Sequence, residues 1–353
     1  MTEKKKLQIA LYWGAACGGC DVAVLDTNEF ILEVAAAADI RFWPIAVDGK
    51  YADVEAMADA ELDLTIFDGA VRNSENEYVA KLLRRKSKIL VAFGACAHMG
   101  GIPGLANLVK REEILTAAYL TNASIEPGNR TVPYHETYVD GVKAEIPGFQ
   151  KRVYQLADIV GGNDFVPGPV DRMKLEIPVF YKRVYRLADI VDVDYFVPGC
   201  PPAPEQVRNV LLAVVQGELP PRKSVVGASD RTVCDDCKRS KEEKKIKRFF
   251  RPFEIIQDSK RCLLEQGILC MGSATRSGCG VRCPNSNQGC RGCYGPAPGV
   301  RDQGAKFLSA VASIIDSKDP AEIDEILSQL PDFAAYAYRF GMPASILQRS
   351  HRS

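Results

Sequence analysis

The chain has 353 residues, with 45 basic and 45 acidic side chains and 46% hydrophobic residues. That is enough to bury at least one sizeable core, and the length suits two or so domains. A net charge of zero speaks against a nucleic-acid binder, whose footprint is normally basic, and no apolar run reaches the roughly 18 residues of a membrane span.

Lys4-Lys5-Lys6 leads at once into Leu7–Trp13, which reads as a β-strand rather than the apolar stretch of a secretory signal, and no twin-arginine pair precedes it. A cytoplasmic location is therefore expected. Further strand-like runs follow at Ile40–Val47, Leu64–Phe67 and Ile89–Phe93, and helical spacing of apolar positions at Val22–Ala38 and Glu75–Lys86. Strands alternating with helices predict an α/β fold with a parallel sheet covered on both faces. Ligands of such sheets sit beyond the carboxyl ends of the strands.

A near-repeat comes next. Lys151–Val160 (KRVYQLADIV) recurs as Lys182–Val191 (KRVYRLADIV), and Phe165–Pro169 recurs as Phe196–Cys200. Two copies are too few for a solenoid, so this is a local duplication, with a surface insertion expected at about 147–171. Only the second copy ends in a thiol, because Pro169 stands where Cys200 does.

Beyond Pro220–Ser229 the composition shifts. Lys238–Arg251 holds eight Lys or Arg against two Glu, either a solvated helix face or a docking patch for an acidic partner. From Cys234 to Cys293 the chain is dense in Cys, Gly and Pro, which suits loops wrapped around clusters. Gly304–Leu330 reads as one or two amphipathic helices.

Twelve cysteines in a chain with no evident secretory signal point to metal or redox chemistry, since a reducing cytosol disfavours disulfides. Twelve is three sets of four, and four thiolates hold one 4Fe–4S cluster. Cys17-Gly-Gly-Cys20 lies between the first strand and first helix, Cys96 follows a later strand, and Cys200 ends another apolar segment. All four can converge at the carboxyl edge of one sheet. Taken singly, the first pair would also suit thiol–disulfide exchange, and Cys96 or Cys200 a small buried hydrophobe. Cys234, Cys237, Cys262, Cys270, Cys279, Cys283, Cys290 and Cys293 follow. A zinc ribbon wants two Cys-x-x-Cys pairs about 15–20 residues apart; here the pairs are far more widely separated, with four cysteines between them, and eight thiolates fit two cubanes.

These loops, with Gly94–Pro103 (GACAHMGGIP) and Pro198–Pro202 (PGCPP), resemble the small subunits of nickel–iron hydrogenases, from about Leu7 to Gly295. The likeness is greatest to the cytoplasmic methyl-viologen-reducing group of methanogens, which does not reduce the deazaflavin coenzyme. The resemblance implies a flavodoxin-like sheet domain at 1–228 and a loop-rich cluster domain with C-terminal helices at 229–353. It implies three 4Fe–4S clusters: proximal on Cys17, Cys20, Cys96 and Cys200; medial on Cys279, Cys283, Cys290 and Cys293; distal on Cys234, Cys237, Cys262 and Cys270. In several relatives the medial site has three cysteines and a 3Fe–4S cluster, and many have a histidine where this chain has Cys234.

The implied function is conduction of electrons from hydrogen oxidised in a separate large subunit, which carries the nickel–iron site, to a flavin- or iron–sulfur-bearing acceptor linked to heterodisulfide reductase. No catalytic residue is expected in this chain. Many relatives have Ser-Glu after the second cysteine, with the glutamate near a proton path, whereas this chain has Asp21-Val22. Asp21 reads better as an N-cap or first-turn acid. His98, His135 and His351 fit no catalytic pattern and are expected to be structural or superficial. Two rivals are a quinone-reductase subunit, which typically has adjacent cysteines in its first loop and lacks a second cluster domain, and a zinc-stabilised binding protein.

Overall fold

The computed structural model describes residues 6–125, 137–139, 142–144, 178–243, 245–330 and 332–348. The chain divides into two compact units, Met1–Arg111 with Phe180–Ser353, and Glu112–Val179. The second unit contains most of a helix, Arg111–Tyr119, and an antiparallel pair, β6 (Thr137–Val139) with β7 (Val142–Ala144). The expected insertion at about 147–171 lies outside the described residues.

The first unit is built on a five-stranded parallel sheet. Its strands are β1 (Leu7–Trp13), β2 (Ala38–Phe42), β3 (Leu62–Asp68), β5 (Ser87–Phe93) and β9 (Tyr195–Val197). Their spatial order is β2-β1-β3-β5-β9, the flavodoxin-like arrangement of strands taken in chain order. The alternation of side chains explains why β1 is apolar almost throughout. Ile9 and Leu11 face helices α1 (Gly19–Leu25) and α2 (Phe30–Ala37), while Ala10 and Tyr12 face α3 (Tyr51–Ala56) and α4 (Ser74–Lys86). A parallel strand covered on both sides needs apolar residues at odd and even positions alike. Each fully buried Leu, Ile or Phe in these layers contributes about 1.5–3 kcal/mol.

Two expected elements differ in extent. Val22–Ala38 is two helices, broken at Asp26–Glu29, where Asn28 adopts φ +54° and the Thr27 hydroxyl donates to the Val24 carbonyl at 2.7 Å. Asn tolerates that left-handed conformation better than most residues. The second strand begins at Ala38 and ends at Phe42, because Pro44 offers no amide for the ladder. The helix expected at Glu75–Lys86 is α4, capped by the Asn73 side chain on the Asn76 amide at 2.8 Å, with Glu75 and Glu77 in its first turn and Arg84–Lys86 in its last.

The second copy of the repeat supplies an edge structure. β8 (Phe180–Tyr185) pairs antiparallel with β4 (Val71–Asn73). The Asn107 side chain grips Val184 on both backbone groups, at 2.7 and 3.0 Å. The helix Pro204–Gln216 then returns across the sheet and buries Val207, Val210 and Leu211 with β1, β3 and β5.

Residues on both sides of position 228 belong to the first unit. Beyond it, a separate apolar core gathers Ile246, Phe249, Met271, Phe307, Val311 and Ile326. The tail carries two of these residues on Gln303–Ala312 and one on Pro320–Ser328, the two helices expected there, and adds a third helix, Phe333–Ala337. Asp302, Asp319 and Asp332 cap them by accepting backbone amides at 2.8–3.0 Å. Lys238–Arg251 forms no helix among its described residues; it is irregular chain.

Candidate iron–sulfur sites

Four loops meet at the carboxyl edge of the sheet. Cys17 and Cys20 follow β1, with Cys20 in the first turn of α1. Cys96 lies on the helix Gly94–Met99 after β5, and Cys200 follows β9. The Ala95 amide donates to the Gly199 carbonyl at 2.6 Å and so ties two of these loops together. Two glycines leave room for the sulfurs. A Cβ on Gly94, at φ +81°, would lie 2.4 Å from Cys20 Sγ, and one on Gly101 would lie 2.4 Å from Cys96 Sγ.

Burial is the main force on these thiols. It raises Cys20 far above the usual thiol range, helped by Asp68 and then by Cys96, Cys200 and Cys17. It pushes Cys96 up to about 12, with Cys200, Asp68 and Cys17 adding to the effect. Cys200 rises through burial and through Cys17. The neighbouring sulfurs thus oppose the ionisation of Cys20, Cys96 and Cys200. A thiol–disulfide exchange site shows the reverse, a lowered thiol. A cationic iron core is what would let all four exist as thiolates together, and this donor set fits one.

The acid expected near this group is buried. Asp21 is in the first turn of α1, not at its cap, which is Gly18; the Trp43 indole donates to it at 2.6 Å. Sequence reading missed Asp68, which ends β3 beside Cys20 and is raised to about 8 by burial and then by Asp21. Its only signal was an acid directly after the apolar pair Ile66-Phe67. His98 is half-buried, with its ring centroid 4.9 Å from that of Phe196, and desolvation pushes it down to about 4. His135 and His351 lie outside the described residues.

In the carboxyl-terminal half, Cys234 sits on the short helix Val233–Asp236, fixed by a capping box between Thr232 and Asp235. Burial, then Cys270, Cys262 and Cys237, raise Cys234 to about 12 against the opposing charge of Lys241. A Cβ on Gly272 would lie 3.0 Å from Cys234 Sγ and 3.7 Å from Cys270 Sγ. Burial brings Cys293 to about 12, with Cys279, Cys200 and Cys283 adding to it. Cys283 is raised by burial and by Cys279 against the opposing charge of Arg291. Cys290 is raised by burial, then by Cys270 and by Cys293.

One backbone contact joins two of these loops: the Cys290 amide donates to Cys270 Sγ at 3.2 Å. All twelve cysteines are free thiols. Cys234 lies near Cys270, Cys262 and Cys237, and Cys293 near Cys279, Cys200 and Cys283, while Cys290 lies near both Cys270 and Cys293. Among the described residues, no three His, Cys, Asp or Glu side chains could hold a single metal ion. A cubane takes each thiolate on a different iron and so spans a wider set of sulfurs than one ion does. The basic run is partly structural: Arg239 is buried and donates to the carbonyls of Pro284, Asp258 and Arg261.

Residues 17–214 match the family described as NADH ubiquinone oxidoreductase, 20 Kd subunit. The chain is 36% identical over 349 residues to the iron–sulfur subunit of the F420-non-reducing hydrogenase of Archaeoglobus profundus, covering 97% of this chain and 98% of that protein. It is 31% identical over 348 residues to the corresponding subunit of the F420-non-reducing hydrogenase of Methanothermobacter marburgensis, covering 97% and 96%. Among solved structures, a chain of a NAD+-reducing nickel–iron hydrogenase in the H2-reduced state is 28% identical, with a TM-score of 0.44, over 60% of this chain and 93% of that one. The family model stops short of Cys234, whereas the hydrogenase subunits match across both halves. The chain belongs to the family of iron–sulfur subunits of the F420-non-reducing hydrogenases.

Proposed function

We propose that this chain conducts electrons between hydrogen, oxidised at a nickel–iron site in a large subunit, and an acceptor protein such as heterodisulfide reductase, in the cytoplasm. In this reading it holds three 4Fe–4S clusters: proximal on Cys17, Cys20, Cys96 and Cys200; medial on Cys279, Cys283, Cys290 and Cys293; distal on Cys234, Cys237, Cys262 and Cys270. Residues 1–228 form the sheet domain and 229–353 the cluster domain. Separate apolar cores on either side of position 228 support that division.

The observation that carries the reading is the serial contact between thiol groups. The Cys290 amide meets Cys270 Sγ, and Cys200 acts on Cys293, which supports a reading with the group of Cys279–Cys293 between the other two. When bound, each cluster supplies a one-electron carrier. The chain's own residues bury the sulfurs, crowd them, and aim amides at them: Gly272 and Cys290 at Cys270, Gly292 at Cys290. Such donors and burial set the potential of an iron–sulfur centre. At the sheet edge, Cys17 is exposed beside Trp13, Val22 and Leu25, which are also exposed. An apolar surface around an exposed ligand suits the large subunit as its cover.

The test is anaerobic purification from the native host. The reading expects the chain to arrive with a nickel-bearing partner and its iron–sulfur absorption to bleach under hydrogen. Zinc on these thiols, or absorption indifferent to hydrogen in an active complex, would contradict it.

A further inference from the structure

A cavity of about 630 Å³ opens in the carboxyl-terminal half, between the chain at Arg248–Glu254, the loops before Cys270 and Cys290, and the tail from Gln329 to Arg339. Phe249, Phe333 and Tyr336 give it aromatic walls, and Arg248, Arg251, Arg291 and Arg339 surround it. Among the described residues none of these guanidinium groups pairs with a carboxylate. Arg248 and Arg339 instead lie over the rings of Phe250 and Tyr336, at 5.0 and 4.9 Å. The cavity also holds two carboxylates: Glu254 accepts the Arg251 amide at 2.7 Å, and Asp332 the Ala335 amide at 2.9 Å. Four guanidinium groups against two carboxylates leave the hollow with an excess of positive charge, which favours an anionic occupant.

What kind of occupant follows from the loop that continues the cavity wall. Phe253 is 86% exposed and Ile256 is 103% exposed. A small anion inside the hollow would leave both in water. A protein segment entering the hollow would cover them, since adjacent exposed apolar side chains mark interaction surfaces. The position is equally informative. Leu269 and Gly289 line the cavity, each directly before a cysteine, and those two cysteines, Cys270 and Cys290, are the pair joined at 3.2 Å. The Tyr336 hydroxyl holds the Leu269 carbonyl at 2.8 Å, which fixes the wall against the cysteine loop.

We propose that this cavity and the loop at 251–259 beside it form the docking surface of the electron-accepting partner, which inserts an acidic segment bearing an apolar anchor. The proposal rests on the conduction reading above and names the exit surface that reading requires. Docking itself makes and breaks no bond. The arginines attract and orient the acidic segment, and the Phe253–Ile256 loop and aromatic walls supply the apolar contact.

The experiment uses the assembled hydrogenase and its purified physiological acceptor complex, with the dissociation constant measured at low and high salt. Phe253→Ala with Ile256→Ala removes only exposed side chains, so folding is spared; Arg251→Glu with Arg339→Glu reverses two charges at the rim. Each double variant is expected to weaken acceptor binding about tenfold or more, and the charge variant to lose most of the salt dependence. Viologen-linked hydrogen oxidation and iron content should stay at the parental level. Parental affinity in both variants overturns the docking surface while leaving conduction intact, whereas loss of iron or of viologen activity in the parent sinks the conduction reading itself. Self-association of the parent that the variants abolish, or inorganic phosphate protecting Arg339 from modification while acceptor binding is unchanged, would assign the cavity to a second copy or to a small anion and reject the proposal.

Discussion

In the sheet half, the cysteines stand on loops anchored by two large apolar cores in which sulfur is a minor component. In the carboxyl-terminal half, a small cluster of Val233, Val281 and Cys290 is completed mainly by Cys237, Cys270 and Cys279, so the thiols are themselves the packing. Its helices around the cysteines are single turns, Val233–Asp236 and Arg282–Asn285. The lesson is that one half sets its cysteines on loops anchored by large cores, while around Cys234–Cys293 the cysteines are themselves part of the packing, beside a separate apolar core. Metal bound by thiols of the second kind would add directly to the folding free energy.

The largest effect that separates the halves is loss of iron. Anaerobic chelation should abolish amide protection from about Cys234 to Gly295 while β1, β3 and β5 stay protected; hydrogen exchange measures both at once. Equal loss in the two halves would erase the distinction. Next comes a substitution confined to the sheet. Phe67 is fully buried against Tyr12, so Phe67→Ala should cost about 3–5 kcal/mol in thermal unfolding. The cysteine-rich segment should keep its iron.

Two glycines sharpen the comparison further. Gly94→Ala must relieve both a positive φ and a 2.4 Å approach to Cys20 Sγ, and should cost the sheet-edge group its cluster, seen as loss of about a third of the iron. Gly272→Ala approaches Cys234 Sγ only to 3.0 Å and should cost less iron. The smallest effect is Thr232→Ala, which removes one cap from the Cys234 helix, for about 1 kcal/mol locally and without loss of metal.

The sequence already carried much of this. Short apolar runs located β1, β3 and β5 and period-3.6 spacing located α4, and the placement of Cys17, Cys20, Cys96 and Cys200 after strands brought them to one sheet edge. The break at Asn28 had a signal, the polar run Asp26-Thr27-Asn28-Glu29, that the longer apolar pattern on either side outweighed; the burial of Asp68 had none, because an acid at a strand end is usually solvated. Arg239 was unreadable for a similar reason. Within a basic run, nothing distinguishes the one guanidinium that folds inward onto carbonyls. The division of eight downstream cysteines into two groups came from resemblance, since their spacing permits several pairings; contacts such as that of Cys290 with Cys270 exist only in three dimensions.

The most direct measurement is iron and acid-labile sulfide per chain in the anaerobic complex, for the parent and for three double variants: Cys17→Ala with Cys20→Ala, Cys234→Ala with Cys237→Ala, and Cys279→Ala with Cys283→Ala. Three independent groups predict about twelve irons in the parent and about eight in each variant, at four per cubane. About four irons in the parent, or a parent loaded with zinc, would contradict the account.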